Sequence, residues 1–166
     1  GDVYKRQDYG LSKNLGISRK RAKEFIDNYF EQYPQIKDYM DKAVQEAREK
    51  GYAETIMHRR RYLPDIHAKK FTVRSFAERT AINSPIQGSA ADIIKIAMIN
   101  MQKKLDELHL KTKMVIQVHD ELIFDVPKDE LETIKKIVPE IMQSAVKLDV
   151  PLIADSGWGH NWYDAK

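Results

Sequence analysis

Residues 114–126 constrain the fold most, because two apolar, β-branched runs there flank three consecutive ionisable residues, His119, Asp120 and Glu121. Such runs indicate strands, and the ionisable residues fall where a tight turn would join them. Asp is a common turn residue, so a solvated turn is the simpler interpretation. However, the turn contains neither Asn-Gly nor Gly-Gly, and adjacent carboxylates between apolar strands repel each other unless a cation lies between them. The segment therefore predicts a β-hairpin that presents a divalent-metal site.

Composition and charge leave several kinds of partner open. The chain has 166 residues, a net charge of +3 and a pI near 8.9, which suits one modest domain or part of a larger protein. A small positive charge permits a polyanion partner without requiring one. The absence of cysteine excludes disulfides and thiolate metal sites, and it fits a reducing cytoplasm. No apolar run is long enough to span a bilayer, so no membrane partner is predicted.

The first third of the chain predicts a helical hairpin. A short helical turn should end at Gly16, and Ser18 is a predicted N-cap for an amphipathic helix. Pro34 fits the first turn of a second helix that ends near Gly51.

The rest of the chain alternates predicted helices and strands around the hairpin. Ser84 is predicted to cap a new helix with Pro85 in its first turn. Residues 128–147 are predicted to form a helix kinked at Pro139, and residues 150–154 a last strand. Strands separated by helices, with the hairpin central, predict an α+β fold in which helices back one face of an antiparallel sheet.

Positive charge is concentrated between Gly51 and Pro85, where seven Lys and Arg residues face three acidic ones. The triplet Arg59, Arg60 and Arg61 lies between two short β-prone pieces. By itself such a triplet is usually a solvated or structural cluster. Arginine nevertheless suits phosphate, because its planar fork can bind two phosphate oxygens.

Three motifs in order resemble the C-terminal part of bacterial family A DNA polymerases, those of the Bacillus type in particular. They are Arg59-Arg-Arg-Tyr-Leu-Pro-Asp-Ile66, Ala81-Ile-Asn-Ser-Pro-Ile-Gln-Gly-Ser-Ala-Ala-Asp-Ile-Ile-Lys95 and Gln117-Val-His-Asp-Glu121. The resemblance implies that residues 8–66 are the end of a fingers subdomain and residues 67–166 an incomplete palm, whose antiparallel sheet has the hairpin at its centre. Residues 1–7 do not continue the pattern. Their codons can match a transposon end used in sequencing libraries, so we interpret them as a sequencing scar.

The resemblance also implies a reaction, the template-directed transfer of a nucleotide from a dNTP to a primer 3′ hydroxyl in DNA replication and repair. Two Mg²⁺ ions would serve it. Asp120 resembles one of the family's two essential metal-binding aspartates, and Glu121 is a secondary carboxylate beside it. His119 and Gln117 are expected to position the primer terminus, although a histidine at a strand end is more often structural.

Contacts to primer-template DNA are implied on the preceding motifs. Arg59 and Arg60 are expected to bind phosphates, and Arg79, Asn83 and Gln87 the minor groove, where every base pair presents acceptors. Two local alternatives stay open. Gln87 would close a capping box if a helix began at Ser84, and Asn83 would make turn bonds.

Two family elements do not occur in the sequence: the Asp-Tyr-Ser-Gln-Ile-Glu motif and the helix that grips the triphosphate. We therefore expect the isolated chain to be inactive and its parent to be a monomeric polymerase of the bacterial cytoplasm, associated with the nucleoid. Two other functions remain open, a non-catalytic module for duplex DNA and a metal-dependent phosphodiesterase built on Asp120 and Glu121. Recovery of the preceding gene segment would discriminate among them.

Overall fold

The computed structural model of the chain describes residues 7–165, apart from the side chain of Gln7. The elements are α1 (Gln7–Leu15), α2 (Arg19–Gln32), α3 (Pro34–Lys50), β1 (Tyr52–Glu54), β2 (Arg60–Tyr62), a 3-10 helix (Pro64–His67), α4 (Phe71–Glu107), β3 (Lys113–Val118), β4 (Glu121–Asp125) and α5 (Leu131–Gln143). They form two compact units, one ending at Ser89 and the other beginning at Ala90. Apart from the backbone of Gln7, the predicted scar at residues 1–7 lies outside the described residues.

The predicted ends of α2 and α3 are confirmed. The Ser18 hydroxyl accepts a hydrogen bond from the Arg21 N–H at 3.3 Å and so caps α2. Gly51 ends α3 with a φ of 78°, and its N–H donates to the Ala47 carbonyl at 2.9 Å. This left-handed conformation is one that glycine adopts at little cost.

The core of the first unit consists mainly of small side chains from α3, β1 and α4, together with Leu63 and Ile66 at the 3-10 helix. Its buried members are Ala47, Ala53, Leu63, Ile66, Ala77 and Ala81. Two polar contacts join α3 to α4. Tyr39 donates its hydroxyl to the Ile82 carbonyl at 3.1 Å, and Arg48 pairs with the buried Glu78 at 2.6 Å.

The prediction that Pro85 begins a new helix is wrong, because α4 continues through it. A proline inside a helix costs about 3 kcal/mol or more, since it removes one hydrogen bond and crowds the preceding turn. Buried residues on both sides of Pro85 hold the helix, since Ala81 lies in the core of the first unit and Met101 in a core of the second. Burial of this kind routinely overrides local propensity. The Ser89 hydroxyl also donates to the Pro85 carbonyl.

The second unit packs α5 and the β3–β4 hairpin against the C-terminal half of α4. Its core comprises Met101, Leu105, Ile134 and Val138, with Phe124 and Val126 of the hairpin region packed beside them. Between α4 and β3 the chain reverses at His109, whose φ is 50°.

Two further element predictions need correction, although the α+β class is confirmed. The helix predicted over residues 128–147 is the shorter α5 (Leu131–Gln143). Residues 150–154 form no strand, because they have no ladder partner among the described residues. Across residues 7–165, the strands pair only as two separate antiparallel hairpins, β1–β2 and β3–β4. None of the described helices is both long and apolar enough to cross a membrane.

Candidate active site and nucleic-acid interface

The β3–β4 hairpin places its ionisable residues at the predicted turn. Val118 pairs with Glu121, which leaves His119 and Asp120 as the two-residue connection. His119 has a φ of 53°, the left-handed conformation that tight hairpin turns require. The side chains of Asp120 and Glu121 are exposed. The hairpin therefore presents two adjacent carboxylates to solvent from a backbone fixed by strand pairing.

A β-bulge in β3 and a side-chain hydrogen bond shape this turn. Met114 pairs with Phe124 and Ile116 with Ile123, so Val115 is an extra residue in β3. Such bulges increase strand twist and re-aim side chains. Beyond the bulge, Gln117 donates its side-chain amide to the His119 carbonyl at 2.6 Å. Gln117 thus supports the turn that carries Asp120.

The donor chemistry of the turn fits a hard divalent cation. Mg²⁺ prefers carboxylate oxygens in an octahedral arrangement and keeps several ligands from water or phosphate. Asp120 and Glu121 supply two carboxylates, and residues 7–165 contain no group of three His, Cys, Asp or Glu side chains arranged to hold an ion. Within the described chain, the turn offers part of a ligand set.

The continuity of α4 aligns three predicted DNA-binding residues. Arg79, Asn83 and Gln87 follow one another at intervals of four, which places them on one helix face, and all three are exposed. Arg79 donates to the Ser75 hydroxyl at 3.0 Å and lies 5.9 Å from the centre of the Phe76 ring. The side chains of Asn83 and Gln87 make no hydrogen bond within residues 7–165. The capping alternative for Gln87 is wrong, because no helix begins at Ser84.

Arg59 anchors the β1–β2 loop on α4. Its guanidinium donates to the Gly88 carbonyl at 3.0 Å. A Cβ atom at Gly88 would lie 2.6 Å from Cγ2 of Thr55, so the loop approaches the helix too closely for a larger residue. The Ile56 N–H donates to the Ser89 hydroxyl at 3.0 Å. Arg59 therefore has a structural partner, whatever it binds in addition.

Arg60 and Arg61 differ in their surroundings. The Arg60 guanidinium donates to Glu54 at 3.2 Å and lies 4.6 Å from the centre of the Tyr52 ring. Hydrogen bonds from His58 and then Arg60 lower the pKa of Glu54, and the bond to Glu54 raises the pKa of Arg60. Arg61, exposed on the next position of β2, forms no ion pair within the described chain. Strand alternation places the two neighbouring side chains on opposite faces of β2.

Apart from Arg59 and Arg60 on the β1–β2 hairpin, the predicted site residues form two groups. Gln117, His119, Asp120 and Glu121 lie at one hairpin turn, whereas Arg79, Asn83 and Gln87 lie on one face of α4. The turn belongs to the second unit and the helix face to the first.

Sequence reasoning missed three residues that organise these groups, Gly88, Ser89 and Glu130. Gly88 carried a signal, since a glycine inside a helical pattern often marks a close approach. Ser89 and Glu130 carried none. A buried serine or glutamate looks like a surface residue until its hydrogen-bond partners are known.

Comparison with known proteins identifies the family. The model of DNA polymerase family A matches residues 1–164. The chain belongs to DNA polymerase family A. The match confirms the resemblance of the three motifs to this family, and it covers nearly the whole chain.

The relatives of this family A chain are much longer than the chain itself. It is 59% identical to DNA polymerase I of Bacillus subtilis (strain 168) over 166 residues, which is 100% of the chain and 19% of that protein. It is 60% identical to DNA polymerase I of Streptococcus pneumoniae serotype 4 and 58% identical to that of Geobacillus stearothermophilus, each over 100% of the chain and 19% of the relative. The chain therefore spans about a fifth of the length of these curated relatives.

A solved structure supports the fold. The polymerase domain of Pol1 from M. smegmatis, in complex with DNA primer-template and dNTP, matches with a TM-score of 0.94 and 43% sequence identity. The match covers 98% of this chain and 29% of that one.

Proposed function

We propose that this chain is the end of the fingers (residues 8–66) and part of the palm (residues 67–166) of a bacterial DNA-directed DNA polymerase. The parent protein would add nucleotides from dNTPs to the 3′ hydroxyl of a primer on a DNA template. One observation carries the proposal. An exposed Asp120 stands at a fixed hairpin turn, in a chain that closely matches a polymerase domain solved with primer-template and dNTP.

Asp120 would anchor Mg²⁺, and Glu121 would assist it. When bound, a pair of such ions neutralises charge at the attacking and leaving oxygens of phosphoryl transfer. The hairpin keeps the Asp120 carboxylate in place, and Gln117 fixes the turn through the His119 carbonyl. The His119 ring, which does not take part in that hydrogen bond, would orient the primer terminus.

The exposed face of α4 would hold the primer-template. Amide groups of Asn83 and Gln87 and the guanidinium of Arg79 can donate to minor-groove acceptors, which occur at every base pair. Contacts of this kind test base-pair shape without selecting sequence. The three arginines of the β1–β2 hairpin would contact phosphate, Arg59 and Arg60 from positions already fixed by Gly88 and Glu54 and Arg61 from an exposed position on β2.

The chain alone would be inactive. It carries one of the two aspartate motifs that the family uses and lacks the helix that binds the triphosphate. The parent would act as a monomer on chromosomal DNA in the bacterial cytoplasm.

The decisive test is Asp120→Asn in the parent polymerase. Asn keeps the size and turn propensity of Asp but removes the charge that holds Mg²⁺. A metal that stabilises the transition state by several kcal/mol acts on turnover more than on DNA binding. We expect single-turnover incorporation to fall by about a thousandfold or more, with primer-template affinity nearly unchanged.

Two matched variants complete the test. Asp125→Asn removes an exposed carboxylate from the far end of β4, four residues from Glu121. This variant should incorporate nucleotides at the normal rate. Glu121→Gln should fall between the two. Near-normal turnover by Asp120→Asn across a Mg²⁺ titration would reject the metal assignment.

A second function, a non-catalytic module for duplex DNA, is favoured by the exposed stripe on α4. It predicts that the isolated chain binds duplex DNA, and that the parent shows no incorporation that depends on Asp120. A preceding gene segment without the Asp-Tyr-Ser-Gln-Ile-Glu motif would favour this module over the polymerase.

A further inference from the structure

Glu130 is a buried carboxylate that the proposed reaction does not use. It follows the hairpin and directly precedes α5, yet its side chain makes no capping bond to that helix. Buried acids require hydrogen-bond or charge partners, because an unpaired buried carboxylate costs several kcal/mol. Its partners therefore indicate why it is inside.

Those partners lie immediately before β3. The Glu130 carboxylate accepts from the Lys111 N–H at 2.7 Å, the Thr112 N–H at 2.8 Å and the Thr112 hydroxyl at 2.6 Å. Thr112 is itself buried. Hydrogen bonds to an ionised acceptor are shorter and stronger than neutral ones. One side chain therefore satisfies three donors at the entrance to β3.

The backbone of Glu130 fixes the exit of β4 at the same time. Its N–H donates to the Pro127 carbonyl at 2.9 Å, and its carbonyl accepts from Thr133 and Ile134 at 3.0 Å. The open end of the hairpin, where Lys113 pairs with Asp125, is thus clamped by one residue. Strand register is otherwise set by the turn and by burial of one face. Here β3 contains a bulge and exposes two consecutive apolar residues, Val115 and Ile116.

We infer that Glu130 is a positioning residue, which sets the register of the hairpin and thereby the place of Asp120 at its other end. This inference rests on the proposed function. Glu130 itself would contact neither substrate nor metal. Glu130 would instead act on Asp120 through β3 and β4, which are rigid because they are paired.

The test compares Glu130→Gln with Glu132→Gln in the parent polymerase. Gln at position 130 keeps the shape, but its amide places a donor against one of the N–H donors. Glu132, in the first turn of α5, is exposed and pairs with Lys135 at 2.8 Å, so it is a matched control two residues from Glu130. Three quantities would be measured: single-turnover incorporation across a Mg²⁺ titration, primer-template affinity, and hydrogen exchange of peptides covering residues 110–126.

For Glu130→Gln we expect a loss of at least about tenfold in single-turnover rate, because small displacements of a reacting group are costly. The Mg²⁺ midpoint should rise at least about threefold, as it does when support for a ligand is removed. Exchange of the hairpin amides should accelerate, with DNA affinity changed less than about twofold. Glu132→Gln should match wild type throughout.

Wild-type rate and Mg²⁺ midpoint in Glu130→Gln would overturn the inference, and so would a parallel loss of rate and DNA affinity. If Glu130→Gln does not fold, Thr112→Val decides by the same criteria, since it removes only the hydroxyl donor and keeps both backbone donors. Failure of the proposed function gives a different result. The wild-type parent would then incorporate nothing, whereas the exchange measurement would still test the clamp.

Discussion

Two acidic residues near the hairpin show how surroundings decide the role of a side chain. Asp120 is exposed at the turn, where a carboxylate is available to a cation. Glu130 is buried at the opposite end with three donors around it. The sequence predicted the position of the first at a turn, because apolar, β-branched runs flank it. It did not predict the second, since the donors are backbone groups and a hydroxyl that any loop carries.

The clamp at Glu130 should make the hairpin sensitive to acid. The Thr112 hydroxyl, followed by the Lys111 N–H, holds the pKa of Glu130 below its usual range, and the charge of Lys111 acts in the same direction. A lowered folded pKa means that stabilisation is present above the unfolded value, about 4.3 for Glu, and is lost as pH falls through the folded value. We expect exchange of residues 110–126, corrected for intrinsic rates, to accelerate below about pH 4.

In Glu130→Gln, hydrogen exchange of residues 110–126 should already be fast at neutral pH and should change little further in acid. Glu132 also has a lowered pKa, due to its hydrogen bond with Lys135, but it is exposed. Glu132→Gln should therefore retain the acid response of wild type. An equal acid response in wild type and Glu130→Gln would contradict the assignment of this sensitivity to Glu130.

At the scale of elements, the sequence predicted what depends on short-range chemistry. Ser18, Gly51 and the His119-Asp120 turn are where local rules place them, since caps and turns need only neighbouring residues. It failed where distant packing decides. Pro85 remains inside α4 because buried residues on either side hold that helix. Residues 150–154 have strand-like composition, but a strand also requires a partner, which a single sequence does not reveal.

Gly88 illustrates a contest between local and tertiary effects within α4. Alanine is intrinsically better than glycine inside a helix by about 1 kcal/mol. However, its Cβ would lie 2.6 Å from Cγ2 of Thr55, and overpacking costs roughly 1–3 kcal/mol. We expect Gly88→Ala to loosen the β1–β2 hairpin, measured as faster exchange of residues 52–62. Thr55→Ser removes the clashing methyl but keeps the hydroxyl that accepts from the Arg59 N–H at 3.1 Å.

The double variant Gly88→Ala with Thr55→Ser should recover slow exchange, with a coupling of about 1 kcal/mol or more between the two sites. If Gly88→Ala accelerated exchange equally with and without Thr55→Ser, the close approach would not be what requires glycine.

At the scale of the whole molecule, the question is how a net charge of only +3 is compatible with the proposed binding of DNA. Net charge is a poor guide, because affinity depends on how many cations reach phosphates and release counterions. The cations between Gly51 and Pro85 face few acids in sequence, and Glu54 and Glu78 are already paired with arginines. What remains on the β1–β2 hairpin is a local excess of positive charge, led by Arg61.

The salt dependence of DNA binding by the parent tests this distribution. Each phosphate contact contributes about 0.9 to the slope of log K against log salt for duplex DNA. Arg59→Ala and Arg61→Ala should each lower the slope by about that amount and weaken binding to all DNA sequences alike.

Arg59→Ala should also loosen the hairpin, because it loses the bond to the Gly88 carbonyl. Lys23→Ala, which removes the same charge from an exposed position of α2, should leave the slope unchanged. A sequence-selective loss, or equal slopes for Lys23→Ala and Arg61→Ala, would show that the hairpin cations do not contact phosphate.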